Sequence, residues 1–182
     1  MKKLMLTTAL LAMTTQLASA MSFEHYFNLK SSAPSKTPAD VLYIQTANNA
    51  SLTQLNKSKQ SYQLTLSGVN PMVTYFSDRP ERLVGQIGNA VYLQTWNQGG
   101  KQSFDKDAPN AVVSGVANVN GKSKNVNVVM ELSNPVVNMK KHTITYDAES
   151  LSSTETKLNL NHANLHYTTV FIDGGFCAAC IG

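Results

Sequence analysis

Apolar and polar residues alternate along most of the chain with a period of two, the spacing of a strand that buries one face. Tyr62, Leu64 and Leu66 alternate with Gln63, Thr65 and Ser67; Val126, Val128, Met130 and Leu132 alternate with Asn125, Asn127 and Glu131. The pattern predicts strands at Val41–Ile44, Ser61–Ser67, Met72–Ser77, Ala111–Val119, 126–132, His142–Asp147 and Thr168–Ile172. Turn chemistry separates them. Asn48-Asn49 reads as a turn, Lys57–Gln60 as a loop, and Gly68-Val69-Asn70-Pro71 as a turn joining a hairpin-like pair. Asn120-Gly121 is the favoured pair for a type I′ hairpin. Ser133-Asn134-Pro135 predicts another turn. Leu158 and Leu160 alternate in one phase and Ala163, Leu165 and Tyr167 in the other, which places a bulge or turn near Asn161-His162. One short helix is expected at Gly88–Trp96, with Ala90, Val91, Leu93 and Trp96 toward one side and Trp96 and Tyr92 as a core plug. Strands at short, turn-punctuated intervals predict a mainly β chain: an antiparallel sandwich or barrel-like single domain with one or two short helices.

The ends break this pattern. Lys2 and Lys3, an apolar run from Leu4 to Met13 and the small residues Ala18-Ser19-Ala20 have the organisation of a signal peptide over Met1–Ala20. The expected location is therefore periplasmic or secreted. No cysteine follows that cleavage point, which argues against a lipoprotein anchor, and no later apolar run predicts a transmembrane segment. Residues 21–40 carry Pro34 and Pro38 and read as a mobile lead-in, with Phe23, Tyr26, Phe27 and Leu29 available for docking. A β-rich domain is expected over 41–173 and a Gly/Cys tail over 174–182.

Composition narrows the function. The chain has 15 Lys and Arg against 11 Asp and Glu, but Lys2 and Lys3 belong to the leader, leaving 13 against 11. That near balance lacks the concentrated basic face of a nucleic-acid binder. Charged residues make up only 14% of the chain, so polar strand faces are built from Asn, Ser and Thr.

The densest charge is Asp78-Arg79-Pro80-Glu81-Arg82. Asp78 and Glu81 could act as an acid–base pair if their surroundings separated them; Arg79 and Arg82 could fork onto an anionic ligand. The plain alternative is a charge-braced turn. The run Tyr75-Phe76-Ser77-Asp78-Arg79-Pro80-Glu81-Arg82, with Trp96, Pro109-Asn110-Ala111-Val112 and Phe171-Ile172-Asp173, resembles a family of small exported bacterial proteins of unassigned activity. The resemblance implies an exported one-domain protein, extends from about Tyr62 to Asp173, and assigns no chemistry.

Cys177-Ala178-Ala179-Cys180 ends the chain with a CxxC spacing. Only Ile181 and Gly182 follow, too few for the helix a thioredoxin-like cysteine needs. His162 and His166 with Cys177 and Cys180 form a ligand set suited to zinc, although histidines four apart in a strand are separated by roughly 13 Å. The two cysteines alone suit Cu(I) or, in an oxidising compartment, a local disulfide. No nucleophile elbow, zinc-protease helix, phosphate loop or dinucleotide fingerprint is present in the sequence. His25 and His142 read as surface residues. The leading expectation is a non-enzymatic binding or interaction protein of the cell envelope, with an unidentified envelope or extracellular ligand, no nucleic acid and no cofactor. The alternatives are a metal-binding protein using the tail, with or without His162 and His166, and a hydrolase centred on Asp78 and Glu81.

Overall fold

The computed structural model describes residues 40–56, 58–80, 82–96, 103–151 and 160–176. Eight strands and one helix follow in order: β1 (Asp40–Asn56), β2 (Ser61–Val69), β3 (Met72–Ser77), β4 (Val84–Gly88), α1 (Asn89–Trp96), β5 (Asn110–Val119), β6 (Lys122–Asn138), β7 (Thr143–Ser150) and β8 (Ala163–Phe176). Every pairing is antiparallel. The mainly β, single-domain, barrel-like expectation holds.

The pairings close on themselves. β1 pairs β2, β2 pairs β7, β7 pairs β6, β6 pairs β5, β5 pairs β8, and β8 returns to β1. A six-stranded ring results, and closure removes sheet edges around it. The hairpin of β3 and β4 branches from the ring as a flap. β1 is long enough to hold both neighbours on one side: Val41–Ile44 pair with β3, and Ala47–Asn56 pair with β2.

That arrangement corrects several expectations. β2 and β3 do not form a hairpin with each other; they lie end to end along β1. Asn48-Asn49 is not a turn, since β1 runs through it for 17 residues. Ser133-Asn134-Pro135 is a register irregularity inside β6, not a turn. There Asn134 takes a left-handed φ of 51° and donates from Nδ2 to Asp147 Oδ2 at 2.8 Å. β8 starts at Ala163 and reaches Phe176, so it takes in both the predicted Thr168–Ile172 strand and Gly174-Gly175. β4 was absent from the predicted set. The Asn120-Gly121 turn is as expected, with φ of 54° and 76° and Val119 opposite Lys122. Asn161-His162 is also a turn, with His162 at φ 64°.

The ring bends where buried positions step by three rather than two. This happens between Ala47 and Ala50 in β1, Leu66 and Val69 in β2, and Leu165 and Thr168 in β8. The three steps lie side by side, because Asn49 faces both Ser67 and His166. Gly68 takes φ 65°, and a Cβ there would stand 2.5 Å from Asn48 Nδ2. Tyr167 takes φ 51° and leaves its side chain 84% exposed. β5 keeps an unbroken alternation, so its register against β8 shifts between Ser114 and Val116, a bulge.

The interior is filled by side chains. Leu52, Leu64, Leu66, Val128, Met130, Leu132, Ile144, Leu165, Val170 and Ile172 are essentially inaccessible. Aromatic residues fill the region reached by α1. Tyr43 of β1 meets Tyr92 of α1 at 5.1 Å between ring centres, Trp96 meets Phe104 at 4.8 Å, and Trp96 meets Tyr146 of β7 at 5.7 Å. Tyr92 and Trp96 are the core plug expected of them. The helix buries Asn89, Tyr92 and Trp96, spaced three and four apart, rather than the side carrying Ala90 and Val91, which are exposed.

Candidate functional site

Two places on the molecule were candidates for chemistry from sequence, the charged turn and the two histidines with the cysteine tail; the structure adds hollows at the aromatic end. The turn joins β3 to β4. Ser77 and Leu83 hold its base, with Ser77 N–H donating to Leu83 O at 2.9 Å and Leu83 N–H donating to Ser77 Oγ at 2.8 Å. Asp78 accepts from the Arg79 amide at its carboxylate at 2.7 Å and from the Arg82 amide at its carbonyl at 3.0 Å. Asp78, Arg79 and Arg82 are exposed; Glu81 lies outside the described residues. The Asp78 carboxylate is thus occupied in shaping its own turn and is exposed. Acid–base chemistry at a carboxylate pair needs surroundings that separate the two, and the arrangement here is that of a braced tip.

The His162 backbone and the His166 ring meet different positions of β1. The His162 amide donates to Leu52 O at 2.9 Å, while His166 Nδ1 hydrogen-bonds Asn49 Oδ1 at 2.7 Å. His162 lies in the turn before β8 and His166 near the start of that strand. Cys177 and Cys180 lie outside the described residues, but the strand that leads to them continues to Phe176. Ten residues of extended chain separate His166 from Phe176, roughly 33 Å. His166 and Phe176 thus lie near opposite ends of β8. Among the described residues, no three His, Cys, Asp or Glu side chains are gathered closely enough to hold a metal ion.

At the aromatic end, Trp96 and Phe104 line a cleft of about 580 Å³ with Asp105, Lys106, Glu131 and Asn134. A second hollow of about 220 Å³ is lined by Asp40, Asp107, Pro109, Asn110 and Asp173. It brings together residues from two motifs far apart in sequence. Residues 97–102, which join Trp96 to the Phe104 turn, lie outside the described residues. Behind these hollows a polar cluster is buried. Tyr146 donates to Gln45 Oε1 at 2.6 Å, and Gln45 is 1% exposed. Burial raises the phenol pKa of both Tyr92 and Tyr146 above the ordinary 10.0; the hydrogen bonds that Tyr146 shares with Tyr92 and Gln45 offset part of its rise.

The sequence reading missed a surface feature on the outside of the sheet. Strand register lines up one row of apolar side chains. Val84 of β4 faces Phe76 of β3, and Phe76 faces Leu42 of β1. Two residues along β1, Ile44 faces Phe171 of β8; Phe171 faces Val112 of β5, and Val112 faces Val129 of β6. Leu151 is tied beside Val129 by a backbone hydrogen bond. Val84 is 61% exposed, and Phe76, Phe171, Val129 and Leu151 are each exposed by more than a third. Isolated exposed apolar residues are ordinary, but a contiguous row is a mark of an interaction surface. The charged tip borders the row at its β4 end. An apolar centre with a polar margin is the anatomy of a protein interface.

Among the described residues no helix is long and apolar enough to cross a membrane. Comparison with protein-family models, with characterised proteins and with solved structures finds no match to this chain.

Proposed function

We propose that this is an exported, non-enzymatic interaction protein of the cell envelope, which binds a partner through the apolar row on its outer sheet. The observation that carries the reading is the register-aligned sequence Val84, Phe76, Leu42, Ile44, Phe171, Val112, Val129 across six strands. Other water-facing strand stretches are polar, as on the outer side of Ser123–Asn127. A row of Phe, Leu, Ile and Val in such positions leaves apolar area in water, at about 25 cal/mol per Å² relative to burial. A partner that covers it recovers that free energy. The leader over Met1–Ala20 supports an envelope or extracellular setting, and Asp78, Arg79 and Arg82 supply the rim that orients the partner.

The test is site-specific photo-crosslinking in intact cells. A photoreactive residue at Phe171 should give a discrete adduct, and one at Lys124, on a polar part of the surface, should not. Fractionation should recover a chain beginning at Met21 outside the cytoplasm. Adducts absent at Phe171, or equal at both positions, would overturn the reading, as would turnover of a defined substrate by the purified protein.

A further inference from the structure

The ring has no edges, but the flap has one. β4 pairs with β3 on one side and, among the described residues, with no strand on the other. Its sequence, Val84-Gly85-Gln86-Ile87-Gly88, contains none of the devices that protect an open edge: no lysine, no proline and no inward-pointing charge. Tyr75 lies across Gly85 so closely that a Cβ there would meet its ring. An aromatic laid over an edge glycine supports the strand conformation and leaves the outward backbone groups of β4 available for pairing.

The outer face of this strand is complementary to itself. Val84, Gln86 and Gly88 alternate onto that face. Val84 projects, at 61% exposed, and Gly88 is a gap: a Cβ built on it meets nothing within 4 Å. Projection and gap are four residues apart with Gln86 midway. A two-fold axis through Gln86 would place the Val84 of each copy over the Gly88 of the other. Gln86 would meet its own copy, and an amide both donates and accepts, so that pair satisfies itself. The neighbours fit as well. Phe76 faces Val84 and Met72 faces Gly88, so the row Phe76–Val84 would run on into the Gly88–Met72 row of the other copy. Met72 and Phe76 are 39% and 41% exposed in the single chain. No charged side chain lies on β4 to oppose its like across the axis.

We infer that the β4 edge is a homodimer interface, formed by antiparallel pairing of β4 with the β4 of a second copy about Gln86. The inference rests on the reading of the outer sheet as an interaction surface and names the partner of its flap end. The barrel end of the row, around Phe171, Val112 and Val129, stays open in such a dimer for a different partner. A five-residue strand pair with flanking contacts is small for an interface, so the dimer dissociates on dilution.

The experiment uses the mature chain with Cys177→Ser and Cys180→Ser, so that no native thiol interferes. Sedimentation across a concentration series should show a mass rising toward twice that of the monomer. Gln86→Cys should give a disulfide-linked dimer on mild oxidation, and Thr74→Cys, one strand further in, should not. Gly88→Leu fills space that is empty in the single chain. It should leave the circular dichroism unchanged and raise the dissociation constant at least tenfold, as should Gln86→Lys, which sets two like charges on the axis. Leu55→Lys, exposed on β1 away from the flap, should change nothing. A monomer at every concentration, Gly88→Leu dimerising like the parent, or equal linkage through positions 74 and 86 would each overturn the dimer. Crosslinking at Phe171 is independent of these results, so loss of the dimer alone would leave the proposed interaction function standing.

Discussion

Gln45 shows how much a single inward residue decides. β1 alternates Val41, Tyr43, Gln45 and Ala47 onto its buried side, so the backbone fixes an amide inside an otherwise apolar and aromatic filling. The sequence contained this signal, since period two from Val41 points position 45 inward. It was obscured by a predicted strand that stopped at Ile44. Once there, Gln45 needs Tyr146, whose hydroxyl donates to it at 2.6 Å. Removing that hydroxyl strands a buried carbonyl, which costs about 1–3 kcal/mol. Tyr146→Phe is therefore expected to lower the urea midpoint by that amount of stability with the slope unchanged. The same burial gives a pH dependence. The Tyr92 and Tyr146 phenols are raised above the ordinary 10.0 in the folded chain and ionise near 10 when unfolded. Above about pH 10 the unfolded chain thus holds fewer protons than the folded one, and stability falls as pH rises. Below pH 10 their contribution is complete. An alkaline titration should show the phenolate absorbance of these two tyrosines appearing together with loss of near-ultraviolet circular dichroism. Ionisation with the dichroism intact would contradict their burial.

At the scale of elements, the hairpin of β5 and β6 was the most legible because its information is local. Asn120 and Gly121 both take positive φ, as their dipeptide predicts, and β6 alternates from Val126 to Leu132. Elements set by distant neighbours were harder to read. β1 carries Asn48-Asn49 at the level where β2 and β8 also change phase. An Asn pair that reads as a turn in isolation is held extended by pairing on both sides. β4 has two glycines in five residues and low strand propensity of its own; it exists because β3 and the Tyr75 ring hold it. The apolar row was hidden for a related reason. Phe76, Phe171 and Val112 are far apart in sequence, and only register places them in a row. Asp78 and Arg79 of the charged turn, which sequence singles out by density, border that row. The bend at Gly68 offers a direct test at this scale. Its φ of 65° and the close approach of Asn48 leave no room for a side chain. Gly68→Ala should cost about 1–3 kcal/mol, measured by denaturant unfolding. Gly121→Ala, at a similar φ of 76° but with open space around it, should cost less, because it meets the backbone term without the collision.

For the molecule as a whole, stability should follow the ring. β8 lies between β5 and β1 and closes the circle between residues more than a hundred positions apart, as in the pairing of Leu52 with Ala163. Every ring strand has a hydrogen-bonded neighbour on each side, so freeing one from both partners opens the whole barrel. The flap is different. β4 is held from one side only, and its departure leaves the ring pairings of β1 with β2 and β8 in place. Amide exchange should therefore separate the two. In dilute protein the amides of Val113, Val128, Leu165 and Val170, in buried ring positions, should exchange only through global unfolding and respond to denaturant with its full slope. The amides of β4 should exchange through a local opening that denaturant barely affects. The contrast should shrink as protein concentration rises, because a second β4 would cover the outward amides. If β4 were protected to the global limit even at high dilution, the flap would be part of the cooperative core, and its edge would not be free to pair with anything.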